Sequence, residues 1–265
     1  MTRESGDRWD GGTAYEAFMG RWSRAVARIF IAWLPSRPSA HWLDVGCGTG
    51  ALSSTICELC EPASVHGCDP SESYIASARQ QLTDKRSSFV CSGTENLPSR
   101  EGGFDAVVSG LVLNFVPDPE RAVASMAERL APGGIVAAYV WDYAEGMMFL
   151  RHFWDEAAAV DTSAIELDEG RRFPVARPEP LTSIFEGAGL LEVKTHALNI
   201  QTEFQNFDDY WQPFLGGTGP APAFVHSLTA DGRTELRDRL RRRLQMGDGT
   251  IRLRARAWAV RGFAP

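Results

Sequence analysis

Three glycines at alternate positions, Gly46, Gly48 and Gly50, follow an aspartate, Asp44. Glycine accepts a positive φ and puts no Cβ between the backbone and an incoming molecule, so such a run can turn tightly and lie against a ligand. An apolar stretch (Trp42, Leu43, Val45) leads in, and apolar residues at helical spacing (Leu52, Ile56, Leu59) lead out. That order of strand, turn and helix builds a crevice for a nucleotide-type ligand. Roughly 20 residues further on, where one βα unit would place it, Asp69 stands at the tip of a second short strand. A carboxylate there can accept hydrogen bonds from both hydroxyls of a ribose.

The spacing differs from that of a dinucleotide site, where G-x-G-x-x-G aims a helix N-terminus at a pyrophosphate. Here the third glycine comes one residue early, and Asp44 would repel a phosphate. An acid suits a ligand that carries an ammonium group. This favours S-adenosylmethionine (SAM), which has an amine and a sulfonium and no phosphate. Asp44-Val45-Gly46-Cys47-Gly48-Thr49-Gly50 resembles the first motif, [DE]-x-G-x-G-x-G, of the class I SAM-dependent methyltransferases.

The resemblance continues down the chain. Gly67-Cys68-Asp69-Pro70-Ser71 is similar to the second motif. Ser92-Gly93-Thr94-Glu95-Asn96-Leu97-Pro98 resembles G-D-A-x-x-L-P, a loop whose acid and following N–H hold adenine, but Gly93 stands in the acidic place. The backbone N–H of Thr94 remains available there, with Glu95 as a compensating acid. Phe104-Asp105-Ala106-Val107-Val108-Ser109, followed by Leu111, Asn114 and Phe115, resembles the ubiquinone and menaquinone methyltransferase branch (methyltransferase type 11). Asn114 takes a place where histidine is common. The resemblance implies a cofactor set of Asp44, Gly46, Cys47, Gly48, Asp69, Pro70, Gly93, Thr94, Glu95, Ser109, Gly110 and Asn114. It implies SAM as cofactor, S-adenosylhomocysteine as product and no metal.

The elements that must position these groups follow from periodicity. Val26, Ile29, Phe30, Trp33 and Leu34 recur at helical spacing before Pro35. Residues 1–40 thus read as a helical lid in which Tyr15 or Arg21 could bind the cofactor's carboxylate. Five strands alternating with helices over residues 41–142 imply a doubly wound parallel sheet of Rossmann-like α/β class. Residues 131–134 read as the turn into the fifth strand, 135–141. A sixth strand is expected near 190–198 and an alternating, basic-faced strand at 251–260. In the family the last strand is antiparallel and inserts beside the fifth, giving seven strands. The whole chain reads as one methyltransferase domain, with cap insertions at about 143–178 and 203–248. Near the strand ends and caps, Trp141, Tyr143, Phe153 and Trp154 are candidates for a pocket taking a small, apolar or planar acceptor. Asp142, Tyr143, His152, Asp155 and His196 are candidate bases, none of which the sequence singles out.

A net charge of −7 argues against general affinity for nucleic acid or an anionic membrane. The basic run Arg237 to Arg243 reads as a solvated helix face. The polar N-terminus has no signal-peptide h-region, no apolar run reaches membrane-span length, and five cysteines, an odd count, suit a reducing, cytoplasmic setting. Cys57 and Cys60 have neither a second pair nor a histidine cluster to make a zinc site. The reading is a methyltransferase acting on a small molecule. The alternatives are a non-catalytic SAM-binding module or an NAD-dependent oxidoreductase.

Overall fold

The computed structural model describes residues 20–35, 37–216, 219–244 and 249–265. Helix α1 (Arg21–Trp33) precedes five strands and three helices: β1 (His41–Val45), α2 (Ala51–Leu59), β2 (Ser64–Asp69), α3 (Glu72–Gln81), β3 (Ser87–Cys91), β4 (Phe104–Gly110), α4 (Pro119–Ala127) and β5 (Leu130–Trp141). A 3-10 turn, Thr94–Asn96, lies between β3 and β4. Then come α5 (Met148–Val160), α6 (Ala164–Leu167), α7 (Glu169–Arg172), α8 (Pro178–Gly187) and β6 (Leu191–Phe204). The rest is α9 (Phe207–Trp211), a 3-10 turn (Gln212–Leu215), α10 (Pro220–Ser227), α11 (Ala230–Leu244) and β7 (Ile251–Phe263).

The strands form one seven-stranded sheet in the order β3-β2-β1-β4-β5-β7-β6. β1 pairs in parallel with β2 and β4, β2 with β3, and β4 with β5, while β7 runs antiparallel to β5. The chain direction of the winding reverses at β1, between β2 and β4. In open sheets of this kind ligands bind beyond the strand C-termini at that switch point. β1 is buried from Trp42 to Val45, as expected of a strand covered on both faces. Helix starts follow capping chemistry: the Ser71 hydroxyl accepts from the Tyr74 N–H, and the Asp118 carboxylate accepts from the Arg121 N–H ahead of Pro119.

Two boundaries differ from the sequence reading. β5 begins at Leu130, so residues 131–134 lie within the strand and not in a turn before it. Its register jumps there, from Phe104 opposite Leu130 to Ala106 opposite Ile135. Gly133 has a φ of +70°, and a Cβ on Gly134 would stand 2.9 Å from the carbonyl oxygens of Ala131 and Phe104, so the glycines make a bulge possible. β6 continues to Phe204 because alternation persists: Leu198, Thr202 and Phe204 are all fully buried. The buried Thr202 hydroxyl donates to the Leu253 carbonyl.

The chain divides into two compact units. One holds Ser23–Trp141, Val175–Leu198 and Ala257–Pro265, and contains the glycine turn. The other holds the described residues 20–22, Asp142–Pro174 and Asn199–Arg256. Its core is aromatic: Phe149 and Phe153 stack on Phe214 at 4.7 and 4.3 Å, and Trp22 meets Phe149 and Phe204 edge-on. No helix among the described residues is long and apolar enough to cross a membrane.

Candidate functional site

The glycine turn leaves β1 with φ of +73° at Gly46, +52° at Gly48 and +90° at Gly50. These left-handed conformations disfavour any other residue. Each glycine also faces something different. A Cβ on Gly46 would come within 2.6 Å of the Val112 side chain, and one on Gly50 would touch Ala78. One on Gly48 would point into open space, which makes Gly48 the position where the turn lies open to a ligand.

The turn's backbone donors point inward. The N–H groups of Gly46 and Cys47 both donate to the Cys68 carbonyl, at 2.8 and 2.9 Å. The Gly48 N–H donates to Asp69 Oδ2 at 3.0 Å, and the Gly50 N–H to the Cys47 carbonyl. A phosphate-binding loop needs such donors aimed at the ligand. Here β2 takes those of Gly46, Cys47 and Gly48, and Asp69 buttresses the turn directly. Asp69 Oδ1 also accepts from the Ser71 N–H, and the lone pairs left on its two oxygens can accept more. Burial raises the Asp69 carboxyl above the ordinary range, against the pull of the Ser71 and Gly48 N–H groups.

Asp44 is 1% exposed, and its Oδ1 has no hydrogen-bond partner among the described residues. Its Oδ2 accepts from the Ser53 hydroxyl at 2.7 Å. Desolvation pushes the carboxyl up to about 7, opposed by the Ser53 hydroxyl and N–H and reinforced by the negative charge of Asp69. The adjacent thiols, pushed up by burial, are no nucleophiles near neutral pH: Cys68 rises to about 12 and Cys47 further. The Cys47 side chain belongs to a core cluster with Ile75, Ala78 and Phe89, so it can meet a ligand only through its backbone.

Two other predicted site residues are spent on structure. The fully buried Ser109 hydroxyl donates to the Val45 carbonyl at 2.9 Å and ties β4 to the end of β1. Gly110 makes room for Tyr139, whose Oη would lie 2.7 Å from a Cβ there. Leu111 follows at φ +64° and turns the chain toward Asn114. Asn114 is 8% exposed, and neither its Nδ2 nor its Oδ1 has a partner among the described residues.

At the neighbouring strand end, Asp69 and Cys91 stand opposite in register, and the Cys91 thiol lies 3.3 Å from the Pro70 carbonyl. Beyond them a Cβ on Gly93 would fall 2.5 Å from both carboxylate oxygens of Glu95. Glu95 therefore fills the space that a side chain at position 93 would use. Tyr15 lies outside the described residues, as does the side chain of Arg21, whose backbone opens α1.

A family model described as a methyltransferase domain matches residues 43–138, the stretch from the glycine turn to β5. A trans-aconitate 2-methyltransferase of Deinococcus radiodurans is 31% identical over 180 residues, 64% of this chain and 65% of that one. Over that stretch the chain is similar to the class I SAM-dependent methyltransferases. A Mus musculus protein named probable tRNA methyltransferase 9B is 35% identical over 124 residues, 45% of this chain but 26% of that protein. The chain thus spans less than two thirds of each of these relatives. A Haemonchus contortus phosphoethanolamine N-methyltransferase 2, solved with SAM, shares the fold at a TM-score of 0.61 and 16% identity, over 98% of this chain and 59% of that one.

The fold keeps the remaining candidates in packing or ion-pairing roles. Phe153 and Trp154, expected in an acceptor pocket, are instead enclosed in the aromatic core. Phe153 lies between Phe214 and Phe224, and the Trp154 Nε1–H donates to the buried Glu169 carboxyl. Tyr143 packs on Phe173, and Trp141 is buried at the end of β5 with its Nε1 unpartnered. Asp142 takes an ion pair from Arg256, Asp155 one from Arg243, and the His196 ring stacks on Trp33. Burial lowers the His152 pKa, assisted by Arg243. Among the described residues no group of three or more His, Cys, Asp or Glu could hold a metal ion. The sequence reading missed Ser53 and Val112. Ser53 was discoverable as the third residue of the helix after the turn, whose N–H is one of the unpaired donors of a helix start that a nearby acid can accept.

Proposed function

We propose that this chain is a methyltransferase that binds SAM across the open side of the glycine turn and passes its methyl group to a small-molecule acceptor. The observation that carries the cofactor reading is the inward aim of the turn's N–H groups between two carboxylates, Asp44 and Asp69. Such a site offers nothing to a pyrophosphate and suits a ligand with a cationic amine and a ribose. The free Oδ1 of Asp44 and the open face of Gly48 fit that ligand.

In this reading Asp44 takes the amine, directly or through a water, and Asp69 the ribose hydroxyls. Thr94 offers its N–H to the adenine. Glu95 stands in for the acid missing at Gly93, and Pro70 and Asn114 line the pocket. The bound cofactor supplies a methyl group already activated on a sulfonium. The chain's own contribution is alignment of the acceptor for in-line attack and exclusion of water. No residue is assigned as a general base. A small acceptor is supported by the name of the Deinococcus relative and by the pairing of Arg237, Arg239, Arg241 and Arg243 with acids, which leaves the basic run poorly suited to a nucleic-acid backbone.

Calorimetry with SAM, S-adenosylhomocysteine and NAD tests the cofactor. SAM and its product should bind and NAD should not; NAD binding without SAM binding overturns the reading. Labelled SAM with a metabolite extract and, separately, bulk tRNA then tests the acceptor. Label entering tRNA alone defeats the small-molecule assignment. Cofactor binding without transfer to either favours a non-catalytic module.

A further inference from the structure

Among the described residues Asp44 is a carboxylate without a counter-cation. It is 1% exposed, one oxygen is unpartnered, and the other is held by Ser53 alone. The ionisable groups coupled to it among the described residues are acids and thiols. β2 contributes Cys68 and Asp69, and the turn contributes Cys47. β4 places Val108 beside it, and the acid of that strand, Asp105, accepts the His41 N–H. Ser53, on the first turn of α2, is fully buried and spends its hydroxyl on Asp44 Oδ2 at 2.7 Å. Its donor therefore does two things at once. It stabilises the ionised carboxyl, because an O–H donor favours the charged form. It also fixes the carboxyl plane, so that the vacant oxygen is the other one.

We propose that Ser53 is a positioning residue that holds the Asp44 carboxyl with Oδ1 turned free to receive the cationic amine of the cofactor. The proposal rests on the reading that Asp44 faces that amine. It has a thermodynamic consequence. Near neutrality the buried carboxyl is partly protonated in the unliganded protein. An arriving ammonium favours the ionised form, so binding expels the proton. Without the Ser53 donor the carboxyl keeps its proton to higher pH, and the amine meets a neutral acid.

The experiment is calorimetry with SAM and with adenosine between about pH 5.5 and 7.5, below the usual α-amino pKa of ~7.7–8.0. It is run in two buffers of different ionisation enthalpy, so that released protons are counted. The unsubstituted protein should bind SAM more tightly as pH rises, with proton release, while adenosine binding stays flat. Ser53→Ala should weaken SAM roughly tenfold at the acid end and shift the rise to higher pH. Its adenosine affinity should change less than about twofold, and Ser53→Thr should restore the profile. Equal loss of SAM and adenosine, or an unshifted pH profile in Ser53→Ala, overturns the proposal. Asp44→Asn separates the two levels. A flat, weak SAM profile in that variant upholds the Asp44 reading whatever Ser53 does, whereas an unchanged profile removes that reading and the Ser53 role with it.

Discussion

Asp69 has two roles that a single substitution separates. Its Oδ2 holds the Gly48 N–H and its Oδ1 the Ser71 N–H, and the proposed ribose hydroxyls use the lone pairs left over. Asp69→Ala should weaken SAM binding by ~1–3 kcal/mol, the cost of losing charge-assisted hydrogen bonds. Asp69→Asn should preserve the turn better than alanine does; unchanged SAM affinity in both variants would reduce Asp69 to a turn residue. Glu95 offers a sharper test, because its carboxylate occupies the volume of an absent side chain. Gly93→Asp alone brings two acids into one place and should weaken SAM severalfold. Gly93→Asp with Glu95→Ala moves the acid back to position 93 and should recover most of that loss. Failure of the double variant to recover affinity would mean that Glu95 is not the adenine-side acid.

At the scale of elements, the basic run in α11 holds one helix to another. Arg239 and Arg243 reach Glu156 on α5 at 2.8 and 3.0 Å, and Arg237 and Arg241 reach Asp208 on α9. The Glu156 side chain is 15% exposed, and its pKa is lowered by both arginines despite the opposing desolvation. The Asp208 pairs are open to water and contribute little. Glu156→Ala should therefore cost about 1–3 kcal/mol in urea unfolding, since it leaves two guanidinium groups against a partly desolvated surface. Asp208→Ala should cost less than ~1 kcal/mol. Equal costs would show that burial of the pair does not matter. β7 follows the same logic: Ile251, Ala255, Ala257 and Ala259 fill one face, while Arg252 pairs with Glu203 and Arg256 with Asp142 on the other.

For the molecule as a whole, stability between acid and neutral pH carries the mark of buried carboxyls. Glu169 is 4% exposed, and desolvation raises it from 4.5 to about 7 against the Trp154 hydrogen bond. Between those values the folded protein holds a proton that the unfolded chain has released. Stability from this group is therefore fully present below the unfolded value and is lost as pH rises through the folded one. Glu169→Gln keeps an acceptor for Trp154 but cannot titrate. The melting temperature of the unsubstituted protein, relative to Glu169→Gln, should fall between about pH 5 and pH 8. The lowered pKa values of His66 and His152 act in the opposite direction, and common to both proteins they cancel in the comparison. A difference that stays flat over that range would show that Glu169 is ionised in the folded state.

Local spacing carried most of the fold. Alternating strand and helix periods imply parallel pairing, because each crossover returns the chain in the same direction, and the sheet order follows that rule. The glycine turn and the acids at 44 and 69 were legible for the same reason: their positions depend on a single βα unit and its length. The outcomes at Cys47, Ser109, Phe153 and Trp154 depend on something else. Sequence period says which face of an element is buried, but the particular atom that meets a polar group comes from elements far apart in the chain. Ser109 finds the Val45 carbonyl and Arg243 finds Glu156 only once the sheet and helices have packed. The bulge at Gly133 and Gly134 likewise arises from the fit of β5 against β4 and not from a local turn preference. Sequence alone determined that a turn with two acids stands at the switch point of a parallel sheet. Only the tertiary structure decided that the turn's donors face inward, that Glu95 fills the place of a side chain at 93, and that Ser53 leaves one oxygen of Asp44 free. Hydrogen-bond partners are set by distances of a few ångströms between remote segments, and a one-dimensional pattern does not contain them.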